Sequence, residues 1–540
     1  MTTFDLLHSI VYIALTWALW YALRSWLVKS PLDDIPGPKR QSFAKGDYAR
    51  LYHRHGLDFH FHIWKKYGRV AKIHAPFGAQ ALYVYDPKAL HHLLIGDPTA
   101  VEQSHFIVES YRLILGPGLM SITGDRHHRQ RKVLNPVFST ANLQAMMPIV
   151  GHVAQELRDV IANQVGKSAQ EIDMLRWMNR GALEILGQAG LGYSFGPLSA
   201  DAPDQFARAL KGLFPSMSRL GFLRQLTPLF IKCGSARFRR AVVERIPSSA
   251  VKNLLSIIDV MDEASRNIFL SRKRAIMGET SDSPGQVGEG KDLMSFLLRA
   301  NMATDMEDRL TDDELLGQIS SFVLAGTDTT ASVVTQILQH LAEHTAIQDR
   351  LRQELNDVDV EHISFTALMK LSYMDAVVKE TLRLNTPAAM VSRQTQKDVV
   401  IPLASPLRTL DGSLRNEIVA PKGTIIFLGL LALHRDKDIW GEDANEWKPD
   451  RWLRPLLTTV ADAHIPGVYS PLMTFVGGNR SCIGFRFAEM EIKQLLAVLI
   501  SSFRFAATQK NIVWNIATVR FPTIGPEGSV PQLPLIVSRV

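Results

Sequence analysis

Thr311-Asp312-Asp313-Glu314 forms a capping box, and behind it an apolar segment runs without proline to about His344. A helix of that length extends roughly 50 Å. Near Ile319 to Ala325 it is apolar around most of its circumference, so it has to be buried with the rest of the chain packed around it. Inside it lies Ala325-Gly326-Thr327-Asp328-Thr329-Thr330, a run of poor helix formers whose cost something must offset. Gly326 and the threonines permit a local bulge, because a hydroxyl competes for backbone carbonyls. Thr329 follows Ala325 by one turn on the same face, which puts a hydroxyl beside a small-walled groove. A kinked core helix with satisfied threonines fits these letters equally well, so the segment needs a partner before it reads as a site.

That partner is the stretch from Phe475 to Gly484, Phe-Val-Gly-Gly-Asn-Arg-Ser-Cys-Ile-Gly. Cys482 and Cys233 are the only 2 cysteines among 540 residues, which makes no disulfide framework and suits a cytosolic body. Gly478 and Gly484 let backbone fold close around the sulfur and take positive φ where required. Residues from Ile483 to Leu499 read as a helix, so Cys482 lies near a helix N-terminus, where N–H groups and the dipole favour a thiolate. One thiolate with no neighbouring Cys or His ligand argues against zinc and for a metal that brings its other ligands with it, as haem iron does. Arg480 is placed to bind a carboxylate of such a cofactor and Phe475 to wall it. A lone cysteine is ordinarily a small buried hydrophobe; here the neighbours decide otherwise.

The pattern Phe-x-x-Gly-x-Arg-x-Cys-x-Gly resembles the haem-binding loop of the cytochrome P450 family, complete in all its fixed positions. The resemblance implies that Cys482 is the proximal ligand of haem b, iron protoporphyrin IX. It also implies that Ala325, Gly326, Asp328 and Thr329 lie on the segment that crosses the distal haem face. There Thr329 supports oxygen activation and Asp328 helps deliver protons through water. In Gly124 to Phe138 the family carries Trp-x-x-x-Arg for the haem propionates. Arg131 matches, His127 replaces the tryptophan, and the remaining basic residues of that helix are candidates for docking a reductase. Arg393, at the family's spacing after Glu380, is a further propionate candidate. Glu380-Thr381-Leu382-Arg383, with Arg451 in Lys448-Pro449-Asp450-Arg451-Trp452, would form a buried network holding the cysteine loop.

Leu6 to Leu23 is an apolar run long enough to cross a bilayer, followed by Trp26 and by Arg24, Lys29, Lys39 and Arg40. Residues 1–30 are therefore expected to be an uncleaved anchor, 31–40 a Pro-rich hinge and 41–540 the catalytic body. The expected location is the endoplasmic reticulum membrane, single-pass, with the body in the cytosol. An excess of 60 basic over 53 acidic residues, without an Arg-rich tail, suits an anionic membrane surface or an acidic redox protein rather than nucleic acid.

Two motifs point elsewhere and are set aside. Gly192-Tyr193-Ser194-Phe195-Gly196 spells a nucleophile elbow, but that motif needs a strand before it and a helix after, whereas Met174 to Gln188 has helical character. His434-Arg435-Asp436 lacks the asparagine that a kinase catalytic loop carries, and no Gly-rich nucleotide loop accompanies it.

The fold class expected is mainly α with a small β region (α+β), in one large helical body that includes a strand near Leu82 to Tyr85. The resemblance covers nearly the whole chain. It implies a monooxygenase, of fungal microsomal flavour, that takes electrons from NADPH through a separate NADPH-cytochrome P450 reductase, with cytochrome b5 as a second donor. The substrate would be an apolar small molecule such as a terpenoid, steroid or polycyclic aromatic. Its shape would be read by the loop from His105 to Gly118, lid helices over Phe206 to Leu229, Phe322, and the turn from Ala388 to Val391. Two alternatives are a haem-thiolate isomerase or dehydratase that needs no oxygen, and a serine hydrolase at Ser194. The intact Asp328-Thr329 pair argues against the first.

Overall fold

The computed structural model describes residues 29–540 except 200–204, 221–226, 279–286, 288–289 and 470, together with Tyr12 and Thr16. The expected anchor lies almost wholly outside the described residues; among those described, no helix is long and apolar enough to cross a membrane. The helices that build the site are α1 (His105–Leu115), α2 (Gly124–Leu134), α3 (Thr140–Val165), α4 (Met174–Ile185), α5 (Gln205–Arg219) and α6 (Ser249–Ile276). After them come α7 (Leu293–Ala303), α8 (Asp312–Glu343), α9 (Thr345–Leu355), α10 (Ser372–Leu384) and α11 (Phe485–Ser502).

The long helix is α8, with 32 residues. Its start is fixed as the sequence indicates: the Thr311 hydroxyl accepts from the Glu314 N–H at 3.3 Å and Glu314 Oε2 accepts from the Thr311 N–H at 3.1 Å. It packs against α4, α6, α10 and α11, and burial of Leu315, Ile319, Val323, Val334, Ile337 and Leu338 offsets its poor helix formers. Contrary to the expected bulge, α8 is helical throughout. Thr327 and Thr329 donate to the carbonyls of Val323 and Ala325, at 3.0 and 2.7 Å, and so satisfy their hydroxyls inside the helix.

The strands are subsidiary. β1 (Val70–His74), β2 (Gln80–Val84), β3 (Val101–Glu102), β5 (Val391–Thr395) and β6 (Ile425–Leu428) form a five-stranded sheet of order β1-β2-β6-β5-β3. Only its β2–β6 pair is parallel. β4 (Gln170–Asp173), β7 (Phe503–Ala507) and β8 (Pro534–Arg539) form a second sheet of order β4-β8-β7. The Pro-rich segment is non-helical but not a free linker. Leu32 and Ile35 are buried, and the Lys72 N–H of β1 donates to the Pro36 carbonyl at 2.9 Å. The stretch from His105 reads as a loop in the sequence yet forms α1.

Candidate active site

The cysteine loop is built by close backbone approach. Gly478 has φ +70°, and a Cβ there would lie 2.1 Å from the Leu94 carbonyl oxygen. Gly477 is tighter still, since a Cβ would meet the Pro466 oxygen at 1.5 Å. Gly484 differs from the expectation: its φ is −94° and a Cβ would find ordinary room against Phe138 at 3.5 Å. Its contribution is as N-cap of α11 and through its N–H, which bonds the Cys482 sulfur. The Cys482 N–H donates to the Phe475 carbonyl at 2.8 Å, and Phe475 packs edge-on against Tyr469.

Cys482 exposes surface, yet burial is the largest influence on its thiol. Both hold if the sulfur opens onto an internal cavity. Burial pushes the thiol up, against the Gly484 N–H and Arg131, which pull it down. The helix terminus therefore does not by itself make the thiolate expected from sequence; a bound cation is needed to complete it. Ala325 repeats the signature, being exposed on an α8 turn whose neighbours Val323 and Leu324 are buried. Contacts run from the cysteine loop to α8 through Phe138, which lies beside Gly484, and Phe322 of α8, whose ring meets Phe138 edge-on at 5.9 Å.

A buried scaffold ties this loop to α10. Arg383 and Glu380 are fully buried and pair in a fork, Nε to Oε2 at 2.9 Å and Nη2 to Oε1 at 2.8 Å. Glu380 also accepts from the Lys448 N–H and the Trp452 indole, at 2.9 and 3.0 Å, and lies 3.5 Å from Arg451 Nε. Arg383 Nη1 donates to the carbonyls of His434 and Ala444. The His434 ring then accepts the Met473 N–H at 2.8 Å, and Thr474 donates to the Leu382 carbonyl at 2.9 Å. Sequence reading set His434 aside with the kinase motif; the structure makes it the link between the Glu380–Arg383 pair and the chain entering the cysteine loop.

The cationic candidates divide. Arg393 is buried, and its described bonds run only from Nη1, to Gln103 Oε1 at 3.4 Å and the Ser392 carbonyl at 2.9 Å. Burial, then repulsion from Arg480, pushes its guanidinium down to about 10. His127 is buried and, by burial and then Arg480, pushed down to about 3, so the ring is neutral. Arg480 is partly engaged: Nε donates to Glu102 at 2.6 Å and Nη2 to the Ile122 carbonyl at 2.8 Å, which leaves Nη1 and the second Nη2 hydrogen for an anionic ligand. Arg131 braces the loop, with Nη1 on the carbonyls of Asn479 and Ser481 and Nη2 on the Ser481 hydroxyl. The basic helix is likewise less free than expected, since Arg126 and Arg129 pair with Glu314 and Lys132 with Asp308.

Carboxyls surround the α8 groove. Burial pushes Asp328 up, and Lys211 of α5 pulls it back. Glu491 of α11 is buried and held far above the carboxylate range by burial; it bonds Thr330, while its Oε1 has no described partner. Sequence reading missed Glu491, which in the letters is one polar residue in an apolar helix. Ser194 has no nucleophile's setting. Its hydroxyl accepts from the Gly196 N–H at 3.2 Å and bonds Glu184, on a loop that follows helical turns. A surface cleft of about 460 Å³ lined by Arg112, Arg126, Thr311 and Glu314 lies at the N-terminal end of α8, about 27 Å along the helix from Thr329.

The chain matches the family model for Cytochrome P450 over residues 36–520. It is 45% identical to Cytochrome P450 monooxygenase 91 of Postia placenta, over 99% of both chains. Cytochrome P450 monooxygenase 81 of the same organism is 44% identical, over 96% of this chain and 95% of that one. A ganoderic acid synthetase of Ganoderma lucidum is 41% identical, over 98% of this chain and 99% of that one.

Proposed function

The chain belongs to the cytochrome P450 family, and on that premise we propose that it is a membrane-anchored haem-thiolate monooxygenase acting on an apolar small molecule. The observation that carries the reading is Cys482, which exposes surface although burial is the largest influence on its thiol. The residues suit the cofactor. Arg393, His127 and the remaining N–H groups of Arg480 are buried or half-buried cationic or donor groups with Glu102 as the acid among them, and the two propionates of a haem would supply the missing negative charge.

Haem, when bound, supplies the reduction of dioxygen and the insertion of one oxygen atom into the substrate. The chain does the rest. Cys482 would hold the iron, with the Gly484 N–H and Arg131 stabilising negative charge on the sulfur. Phe475 and Phe138, both beside the cysteine loop, would supply apolar walls for the cofactor. Asp328 and Glu491, both with raised proton affinity, hold protons beside Thr329 and Thr330. Phe322 and Ala325 offer an apolar wall, which supports a terpenoid, steroid or polycyclic aromatic substrate over a polar one. The run from Leu6 to Leu23 supports a single-pass endoplasmic reticulum anchor with a cytosolic body. Electrons would come from NADPH through a separate reductase.

The test is spectroscopic. The purified protein, reduced under carbon monoxide, is expected to show a red-shifted Soret band that Cys482→Ala abolishes and Ser194→Ala leaves intact. A protein without a Soret band, or a red shift that survives Cys482→Ala, overturns the reading. Product profiling with a reductase-supplemented membrane fraction and a panel of apolar compounds then assigns the substrate.

A further inference from the structure

The last turn of α8 carries a second cluster with metal-binding chemistry. His340, Glu343 and His344 present one donor atom each within 4.8 Å of one another, two of them exposed. The spacings i, i+3 and i+4 put all three on one helical face, the arrangement by which paired histidines on a helix grip a metal.

What distinguishes this cluster from an ordinary polar face is that each member has an outer contact that fixes which atom is left free. His340 Nε2 donates to Asn385 Oδ1 at 2.9 Å, so Nδ1 carries the lone pair. That Nδ1 is buried, has no hydrogen-bond partner, and lies 4.0 Å from Glu343 Oε2. His344 Nδ1 donates to the His340 carbonyl at 2.8 Å, which leaves Nε2 as its lone-pair nitrogen. Glu343 Oε1 accepts from the Gln339 amide at 2.8 Å, which leaves Oε2. The Trp447 ring stacks on His340, with centroids 4.7 Å apart and planes 9° apart, and keeps that imidazole from turning away. Such outer contacts orient ligands and set tautomers in metal sites. The carbonyl end of α8 also favours a cation there. The buried guanidinium of Arg520 opposes it.

We propose that His340 Nδ1, His344 Nε2 and Glu343 bind one divalent cation of the zinc class, with solvent in the fourth position. Two imidazoles and a carboxylate are the donor set that such ions take. Ligand atoms around tetrahedral zinc stand roughly 3.3 Å apart, so the exposed Glu343 and His344 close by up to about 1.5 Å on binding. The bound ion ties together the C-terminal turn of α8, whose His340 is already bonded to Asn385 just past α10.

The test is zinc titration of the haem-loaded, chelator-stripped full chain by calorimetry, with metal content after dialysis measured by plasma emission. Wild type and His362→Gln, a control at an exposed histidine elsewhere, are expected to take up the same number of zinc ions. His344→Gln and Glu343→Gln are each expected to take up one fewer, or to bind that ion at least about tenfold more weakly, with an unchanged carbon monoxide band. Gln339→Ala, which removes the outer contact to Glu343 together with an acceptor for the Trp514 indole, touches no ligand directly and is expected to weaken binding by about tenfold. Equal zinc content and affinity in wild type, His344→Gln and Glu343→Gln overturns the proposal.

Discussion

His434→Leu separates the scaffold's work on the loop from its work on the fold. The His434 ring accepts the N–H of Met473, a residue with no exposed surface, and His434 is itself fully buried. Burial, then repulsion from Arg383, pushes the imidazole down to about 3, so the ring is neutral and its acceptor nitrogen stays available across the physiological range. Leucine leaves the His434 backbone carbonyl in place for Arg383, so the Glu380–Arg383 pair keeps its partners. What is lost is the acceptor for one buried N–H, about 1–3 kcal/mol. That cost falls on the chain entering the cysteine loop, and so on cofactor retention. It corresponds to a haem dissociation rate about 5-fold to 150-fold faster. The assay is transfer of haem from the purified protein to excess apomyoglobin, followed at the Soret band. His434→Gln, whose side-chain oxygen can take the same N–H, is expected to recover part of the loss. Equal dissociation rates for wild type and His434→Leu would refute the link between α10 and the loop.

Three further outcomes are expected. Gly478→Ala, and more severely Gly477→Ala, should yield protein that retains little haem, because a methyl at either position meets a backbone oxygen that has nowhere to move; pyridine haemochrome content per mole of protein measures it. Thr329→Ala leaves α8 and the Cys482 ligand intact, so it should keep the red-shifted band while product formed per NADPH consumed falls about tenfold or more, with peroxide accounting for the difference. Glu491→Gln tests the buried proton. The folded carboxyl stays protonated above its ordinary value of 4.5 whereas the unfolded chain releases that proton, so native stability falls as pH rises through that window. The variant should be more stable than wild type at neutral pH, with an advantage that grows by about 1.4 kcal/mol per pH unit until the native carboxyl ionises; parallel melting curves at pH 6 and pH 8 decide it, and an advantage that does not grow removes Glu491 as a proton holder.

The sequence by itself determined what is local. Chain-neighbour chemistry fixed the Thr311 capping box, the proline-free apolar run of α8, the helix after Gly484 and the tight turn at Gly478, because backbone conformation answers to residues a few positions away. The cysteine loop was legible for the same reason, since its chemistry is written within ten consecutive letters. Tertiary structure decided the pairings. Arg480 meets Glu102 across 378 positions, Arg131 turns to the carbonyls of the loop itself, and His434 reaches Met473 across 39. Glu491 meets Thr330, and His340 leaves one nitrogen free beside Glu343, only because α8 packs where it does. A charge or a lone pair acts on what lies within a few ångströms, and for residues this far apart in the chain that neighbour exists only after folding.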